Sequence, residues 1–128
     1  AEHGGAALIV DYGSDQSLGD TFQAVRRHRK LGPLDCPGEA DLTAHVDFGA
    51  LAQAAPCATA PLVPQGIFLE RLRITDRARA LAAKLEGPAL DSHIAAHRRL
   101  THPEEMGSLF KTLGFFPESA TPPPGLLT

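Results

Sequence analysis

The sequence has no tryptophan, one tyrosine and one methionine among its 128 residues, and only 5% of it is aromatic. Its core must therefore be built mainly from Leu, Ala, Val and Ile, with six Phe gathered in a few places. The only cysteines, Cys36 and Cys57, stand in no CxxC pair. That excludes a disulfide framework and a cysteine zinc site, and favours a reducing, intracellular compartment. No apolar run approaches the ~20 residues of a membrane span. The stretch Ala6-Ala7-Leu8-Ile9-Val10 already stops at Asp11, and Glu2 and His3 stand where a signal peptide would carry basic residues. A strong positive balance is missing as well. The net charge is -3, residues 1–64 carry four Lys/Arg against eight Asp/Glu, and residues 65–128 carry eight against seven. Neither half has the charge expected of a nucleic-acid surface. The single dense basic run, Arg26-Arg27-His28-Arg29-Lys30, is either a solvated edge or a local anion or partner contact.

What is present fits one domain, for which about 100 to 150 residues is the commonest size. A chain of this length buries about two thirds of its unfolded surface. Gly4-Gly5 leads into the apolar run ending at Val10, and the breakers on both sides predict a buried strand that hands Asp11-Tyr12-Gly13 to a loop. Thr21 to Arg26 alternates as a strand, and Leu31 to Asp41 is a loop rich in Gly, Pro and acids. Leu42 to Val46 reads as a short extended piece. Asp47 then caps a helix over Phe48 to Ala55, which Pro56 ends. Cys57 to Val63 is a further extended segment broken by Pro61 and Pro64.

The second half reads as helical. Gly66 to Leu72 has the spacing of a helix face, and Thr75 is a candidate cap for Asp76 to Leu85. Leu90, Ile94, His97 and Leu100 mark the buried side of another helix. Pro103-Glu104-Glu105 opens a last one, with Met106, Leu109, Phe110 and Leu113 as its stripe. Pro117 to Thr128, with four prolines, is expected to be a loose tail.

Three strand-like pieces followed by helices do not complete a parallel sheet, whose strands need neighbours and covered faces. The first apolar strand lies almost at residue 1, so the expectation is a larger α/β domain whose first sheet strands lie upstream. No GxGxxG or P-loop pattern is present, and Gly4-Gly5 precedes its strand instead of following it. Asp11 closes a strand at the end where open α/β sheets bind ligands. It can serve as a pocket carboxylate or as an Asx residue tying loop amides. His45 and Asp47 point the same way if extended, and such a pair can orient an imidazole for proton transfer, although Asp47 also reads as a cap. His93 and His97 share a helix face without the glutamate of HExxH, and so read as packing residues. Cys57 has no fixed histidine partner and is not read as a nucleophile.

Five segments, in this order, carry a specific resemblance: Ala7-Leu8-Ile9-Val10-Asp11-Tyr12-Gly13, Gly19 to His28, Asp41-Leu42-Thr43-Ala44-His45-Val46-Asp47-Phe48, Pro64-Gln65-Gly66-Ile67-Phe68-Leu69 and Met106 to Lys111. They resemble the MidA-like family of S-adenosyl-L-methionine (SAM)-dependent methyltransferases, which includes a mitochondrial arginine methyltransferase of respiratory complex I assembly. The resemblance implies the C-terminal part of a class I, Rossmann-like α/β fold, with Ala6 to Val10 similar to the fifth strand of a mostly parallel sheet. Its first strands and glycine-rich SAM loop would be missing. It also implies a methyltransferase part over 1–116, comprising strands and acceptor-side loops over 5–64 and a helical region over 65–116, followed by a tail over 117–128. One departure is Arg73, where the family often has glycine.

Carried over by position, Asp11, Tyr12 and Gly13 would lie at the rim of the SAM cleft. Asp11, His45 and Asp47 would be the catalytic candidates, and Gln65 would stand on the substrate side. The implied cofactor is SAM in an intact enzyme, with none expected for this chain alone. The implied partners are a protein with an acceptor arginine and a missing N-terminal part or oligomer partner. The implied place is the cytoplasm of a bacterium or the mitochondrial matrix of a eukaryote. The alternative is a non-catalytic truncated chain or a protein-interaction module.

Overall fold

The computed structural model describes residues 3–127. Ala1, Glu2 and Thr128 lie outside the described residues, and with them the signal-peptide argument from Glu2 and the outer bounds of the expected units. The first apolar run forms β1 (Ala7–Ser14), which continues through Asp11, Tyr12 and Gly13. The expected loop there is displaced because Gly13 and Ser14 pair in parallel with Val46 and Asp47 of β5 (Val46–Asp47).

The other edge of β1 pairs along most of its length with β8 (Phe110–Phe116), an antiparallel strand. Phe110 and Leu113 are thus not part of a helical stripe. The helix that begins at Met106 lasts a single turn, and the chain then becomes the central strand of the sheet. Short apolar runs do not distinguish helix from strand by periodicity, and Phe, Thr and Gly within Phe110–Phe116 disfavour a helix. Thr112, Leu113 and Gly114 are all buried, as suits a strand covered on both faces. On the far side of β8 lie β6 (Ala58–Thr59) and β7 (Val63–Pro64), both antiparallel to it. Between them the Ala60 amide donates to the Gly114 carbonyl at 2.9 Å. Pro61 therefore sits in an interruption of an edge, where a missing donor is tolerated. The sheet is mixed, in the order β5-β1-β8-β6 with β7 also beside β8: β1 and β5 run parallel, and β8 runs antiparallel to β1, β6 and β7.

A second, antiparallel sheet holds β2 (Gln23–Arg26), β3 (Arg29–Leu31) and β4 (Asp41–Thr43) in the order β3-β2-β4. The basic cluster is its hairpin turn. Arg27 and His28 adopt positive φ of 48° and 62°, and the Arg26 guanidinium pairs with Glu39 at 2.6 Å.

The helices are α1 (Phe48–Ala54), α2 (Gln65–Arg71), α3 (Ile74–Ala82), α4 (Gly87–Thr101) and α5 (Met106–Leu109). Thr75 does not cap α3, which starts one residue earlier after Arg73 in a left-handed conformation at φ 64°. That conformation accounts for the glycine of the resembling family, and here an Arg73–Asp76 ion pair of 2.7 Å accompanies the strain. The inner side of α4 is Leu90, His93 and His97, whereas Ile94 and Leu100 are exposed. His93 Nε2 lies 3.0 Å from the Ala78 carbonyl and His97 Nε2 lies 3.0 Å from Thr75 Oγ1, so both histidines tie α4 to α3.

The main cluster joins Ala60, Val63, Phe68, Phe116 and Leu126. Leu126 is only 1% exposed and the Arg71 guanidinium donates to the Gly125 carbonyl, which corrects the expectation of a loose tail. A single leucine with turn-forming Pro and Gly around it docks the segment despite its poor composition.

Candidate functional site at the end of β1

The parallel pairing of β1 with β5 puts Asp11-Tyr12-Gly13 beside His45-Val46-Asp47. A Cβ on Gly13 would run into the Val46 backbone, so only glycine allows this approach. Tyr12 then packs edge-on against two rings: His45 at a centroid distance of 5.6 Å and 72°, and Phe110 at 5.6 Å and 80°. Such T-shaped pairs are favourable contacts between ring edge and ring face. Asp11 Oδ1 accepts the Tyr12 amide at 2.8 Å, which realises the local Asx role for one oxygen. Among the described residues, no hydrogen bond or ion pair engages Oδ2. The half-buried Asp11 stands opposite Lys111 of β8, whose ammonium donates to the Ser108 carbonyl.

Asp47 behaves as the cap the sequence predicts. Its Oδ1 accepts the Ala50 amide at 2.8 Å and its Oδ2 accepts the Ser17 amide at 3.0 Å. The Ala50 amide first, then those of Ser17 and Gly49, hold its carboxyl below the ordinary value of 3.8 against a smaller opposing effect of burial. The His45–Asp47 pair considered from the sequence is not formed: the carboxylate accepts backbone amides while the imidazole packs on Tyr12. The His45 amide donates to Thr21 Oγ1 at 3.0 Å.

Gln65 is 6% exposed, and its Nε2 donates to the Leu100 carbonyl at 2.9 Å. It opens α2 directly after β7, and Pro64 faces the same Lys111 that faces Asp11. Gln65 therefore follows a strand that ends on the same edge of the sheet as β1, two strands away, with its amide bound to the end of α4. Phe110, Thr21 and Ser17 belong to this site and were missed from the sequence. Phe110 was hidden by its helical spacing, and the Thr21 and Ser17 contacts are long-range and leave no local pattern.

A cleft of about 520 Å³ lies at the opposite end of β1, between Gly4–Ala7, Pro56–Cys57 and Phe115–Glu118. Smaller grooves flank α3 and α4, and none of these includes Asp11, Tyr12, Gly13 or His45. The site is a wall of strand ends, with Asp11-Tyr12-Gly13 set against His45-Val46-Asp47. Among the described residues, no three His, Cys, Asp or Glu side chains are grouped to hold a metal ion, and no helix is long and apolar enough to cross a membrane.

Comparison with known proteins gives this wall a context. Residues 1–66 match a family described as "Putative S-adenosyl-L-methionine-dependent methyltransferase". The mitochondrial protein arginine methyltransferase NDUFAF7 of Danio rerio is 40% identical over 113 residues, covering 87% of this chain and 27% of that protein. Its Homo sapiens counterpart is 37% identical over 117 residues, covering 89% and 26%. The chain thus spans about a quarter of the length of these relatives. Among solved structures, an uncharacterized protein from Burkholderia thailandensis superposes with a TM-score of 0.76 at 30% identity, over 98% of this chain and 34% of that one. A second structure from that organism, bound to S-adenosyl-homocysteine, gives a TM-score of 0.73 at 29% identity, over 96% and 33%.

Proposed function

Because this chain belongs to the family of S-adenosyl-L-methionine-dependent methyltransferases, we propose that it supplies the acceptor side of a protein arginine N-methyltransferase. The strands and loop that grip SAM would come from a further part of the polypeptide or from a partner chain. The observation that carries this reading is the free edge of β1. Among the described residues, Ala7 to Tyr12 pair with β8 on one side only, β5 reaches just Gly13 and Ser14 on the other, and Leu8 and Val10 are 48% and 45% exposed. A buried-type apolar strand with an open edge and a bare face supports additional parallel strands and a class I sheet.

In this reading Tyr12 and Gly13 form the cofactor rim, and His45, Asp47 and Gln65 shape the acceptor side. Asp11 holds the acceptor guanidinium through its free Oδ2 by charge-assisted hydrogen bonds, fixing one nitrogen in line with the methyl group. SAM supplies that methyl when bound. The mitochondrial arginine methyltransferases among the relatives support the acceptor class and a mitochondrial location for a eukaryotic form; in this reading that location is the matrix, and a bacterial form works in the cytoplasm.

The test is methyl transfer by a version extended upstream with a cofactor-binding part, using an arginine-bearing protein acceptor and mass spectrometry of the product. An Asp11→Asn change is expected to lower turnover by about tenfold to a hundredfold, the worth of a hydrogen bond to a charged group. Unchanged turnover would remove Asp11 from the clamp, and methylation of other residue types would remove the arginine assignment. A second reading, a non-catalytic interaction module, draws on the groove of about 190 Å³ beside Leu81 and Leu100. Its mark would be partner binding by residues 65–116 in an extended version that transfers no methyl group.

A further inference from the structure

We propose that Asp47 is a positioning residue that latches the loop over residues 15–21 onto the start of α1, making that loop a fixed rim of the acceptor side. The catalytic consequence rests on the methyltransferase reading above; the latch itself does not.

Both carboxylate oxygens of Asp47 are already engaged by amides, one from its own helix at Ala50 and one from Ser17, thirty residues earlier in the chain. Asp47 thus carries an amide on each oxygen, in contrast to Asp11, whose Oδ2 has no hydrogen-bond partner among the described residues. The latch has a second point two residues away. The Gly49 amide donates to the Asp15 carbonyl at 2.8 Å, and a side chain on Gly49 would collide with that oxygen. The far end of the loop is held by Thr21 Oγ1, which accepts the His45 amide at 3.0 Å, and by the Asp20 carboxylate, which accepts the Phe22 amide at 2.9 Å.

The segment from His45 to Gly49 therefore grips the loop at Asp15, Ser17 and Thr21 while also flanking Tyr12 and Gly13. Between the grips the loop carries Leu18, 83% exposed, and beyond them Phe22, 48% exposed. Ordering a loop costs conformational entropy, and it is offset here by three long-range hydrogen bonds at one rim of the site, to Asp15, Ser17 and Thr21. A preordered rim lowers the cost of binding an extended polypeptide, so loosening it acts on acceptor binding before it acts on the chemical step.

The latch is tested by residue-resolved amide exchange on the full chain carrying Asp47→Ser or Asp47→Asn. Serine and asparagine both cap helices well, so the Ala50 amide stays protected. Serine is too short to reach Ser17 as well, and asparagine turns a donor toward it. Exchange at Ser17 is expected to rise about three- to tenfold in both variants, with Leu113 unchanged as the control for intact folding. Ser17→Pro deletes the donor while leaving Asp47 untouched, and it should mobilise the Leu18 methyls to the same extent. If Ser17 exchange in the two Asp47 variants and Leu18 order in Ser17→Pro stay at wild-type values, the latch does not exist.

In the upstream-extended version, the acceptor KM should rise several-fold with kcat and SAM affinity nearly kept. A collapse of kcat with the acceptor KM and Ser17 exchange unchanged would make Asp47 a chemical group and overturn the proposal. An extended version without methyl transfer would defeat the methyltransferase reading alone, since amide exchange still decides the latch.

Discussion

Gly13 of β1 and Val46 of β5 approach so closely that a methyl group on Gly13 would overlap the Val46 backbone. This contact sets the parallel pairing that places the Tyr12 ring against His45. The geometry of the candidate site therefore depends on a residue that offers no side chain to it.

Gly13→Ala is accordingly expected to destabilise the chain by about 1–3 kcal/mol, the usual range for overpacking. It should also separate β5 from β1. Urea unfolding measures the first effect and the ring-current shifts of His45 the second. Wild-type stability with unchanged His45 shifts would show that β1 and β5 have room to spare.

Leu126 is a test of how firmly the C-terminal segment is docked. It is 1% exposed and packs with Phe68, Phe116, Ala60 and Val63. Leu126→Ala should cost about 2 kcal/mol, at the low end for a buried leucine because a terminal segment can settle into the space. A change below about 0.5 kcal/mol, the range of ordinary surface substitutions, would mean that the segment is detached in solution.

The Asp47 carboxyl predicts a direction with pH. Its folded value lies below the ordinary 3.8, chiefly through the Ala50 and Ser17 amides. The unfolded chain thus binds the proton more readily. The stabilisation is present above the unfolded value, begins to fade as pH falls past 3.8, and is lost once pH passes below the folded value. Amide exchange at Ser17 and Ala50 should accelerate through that acid window relative to Asp47→Asn, which has no proton to gain there. Parallel pH profiles for the two proteins would contradict the assignment.

Much of the local structure was legible in the residues. The breakers around Ala6–Val10 gave a strand, Asp47 and Pro56 bounded α1, and the proline-spaced run after Cys57 gave an interrupted edge. What stayed hidden depended on tertiary partners. Phe110–Phe116 fits a helical spacing until β1 is seen to need a neighbour, and then its β-forming residues decide the matter. Leu126 lies in a segment whose composition argues for disorder, because composition does not register a single well-placed apolar anchor. At the site, Asp11, Tyr12, Gly13, His45 and Asp47 lie together at one end of β1, while Gln65 lies two strands away against the end of α4. The loop that Asp47 and His45 hold there is fixed by contacts spanning more than twenty residues, beyond the reach of any local motif.

The central claim, that these residues form the acceptor side of a methyltransferase and lack a SAM-binding half, is tested most directly by calorimetric SAM binding. The exact 128-residue chain is compared with a version extended upstream. The account predicts binding to the extended version only. Comparable binding by the short chain would contradict it, and would mean that residues 1–128 hold a cofactor pocket of their own.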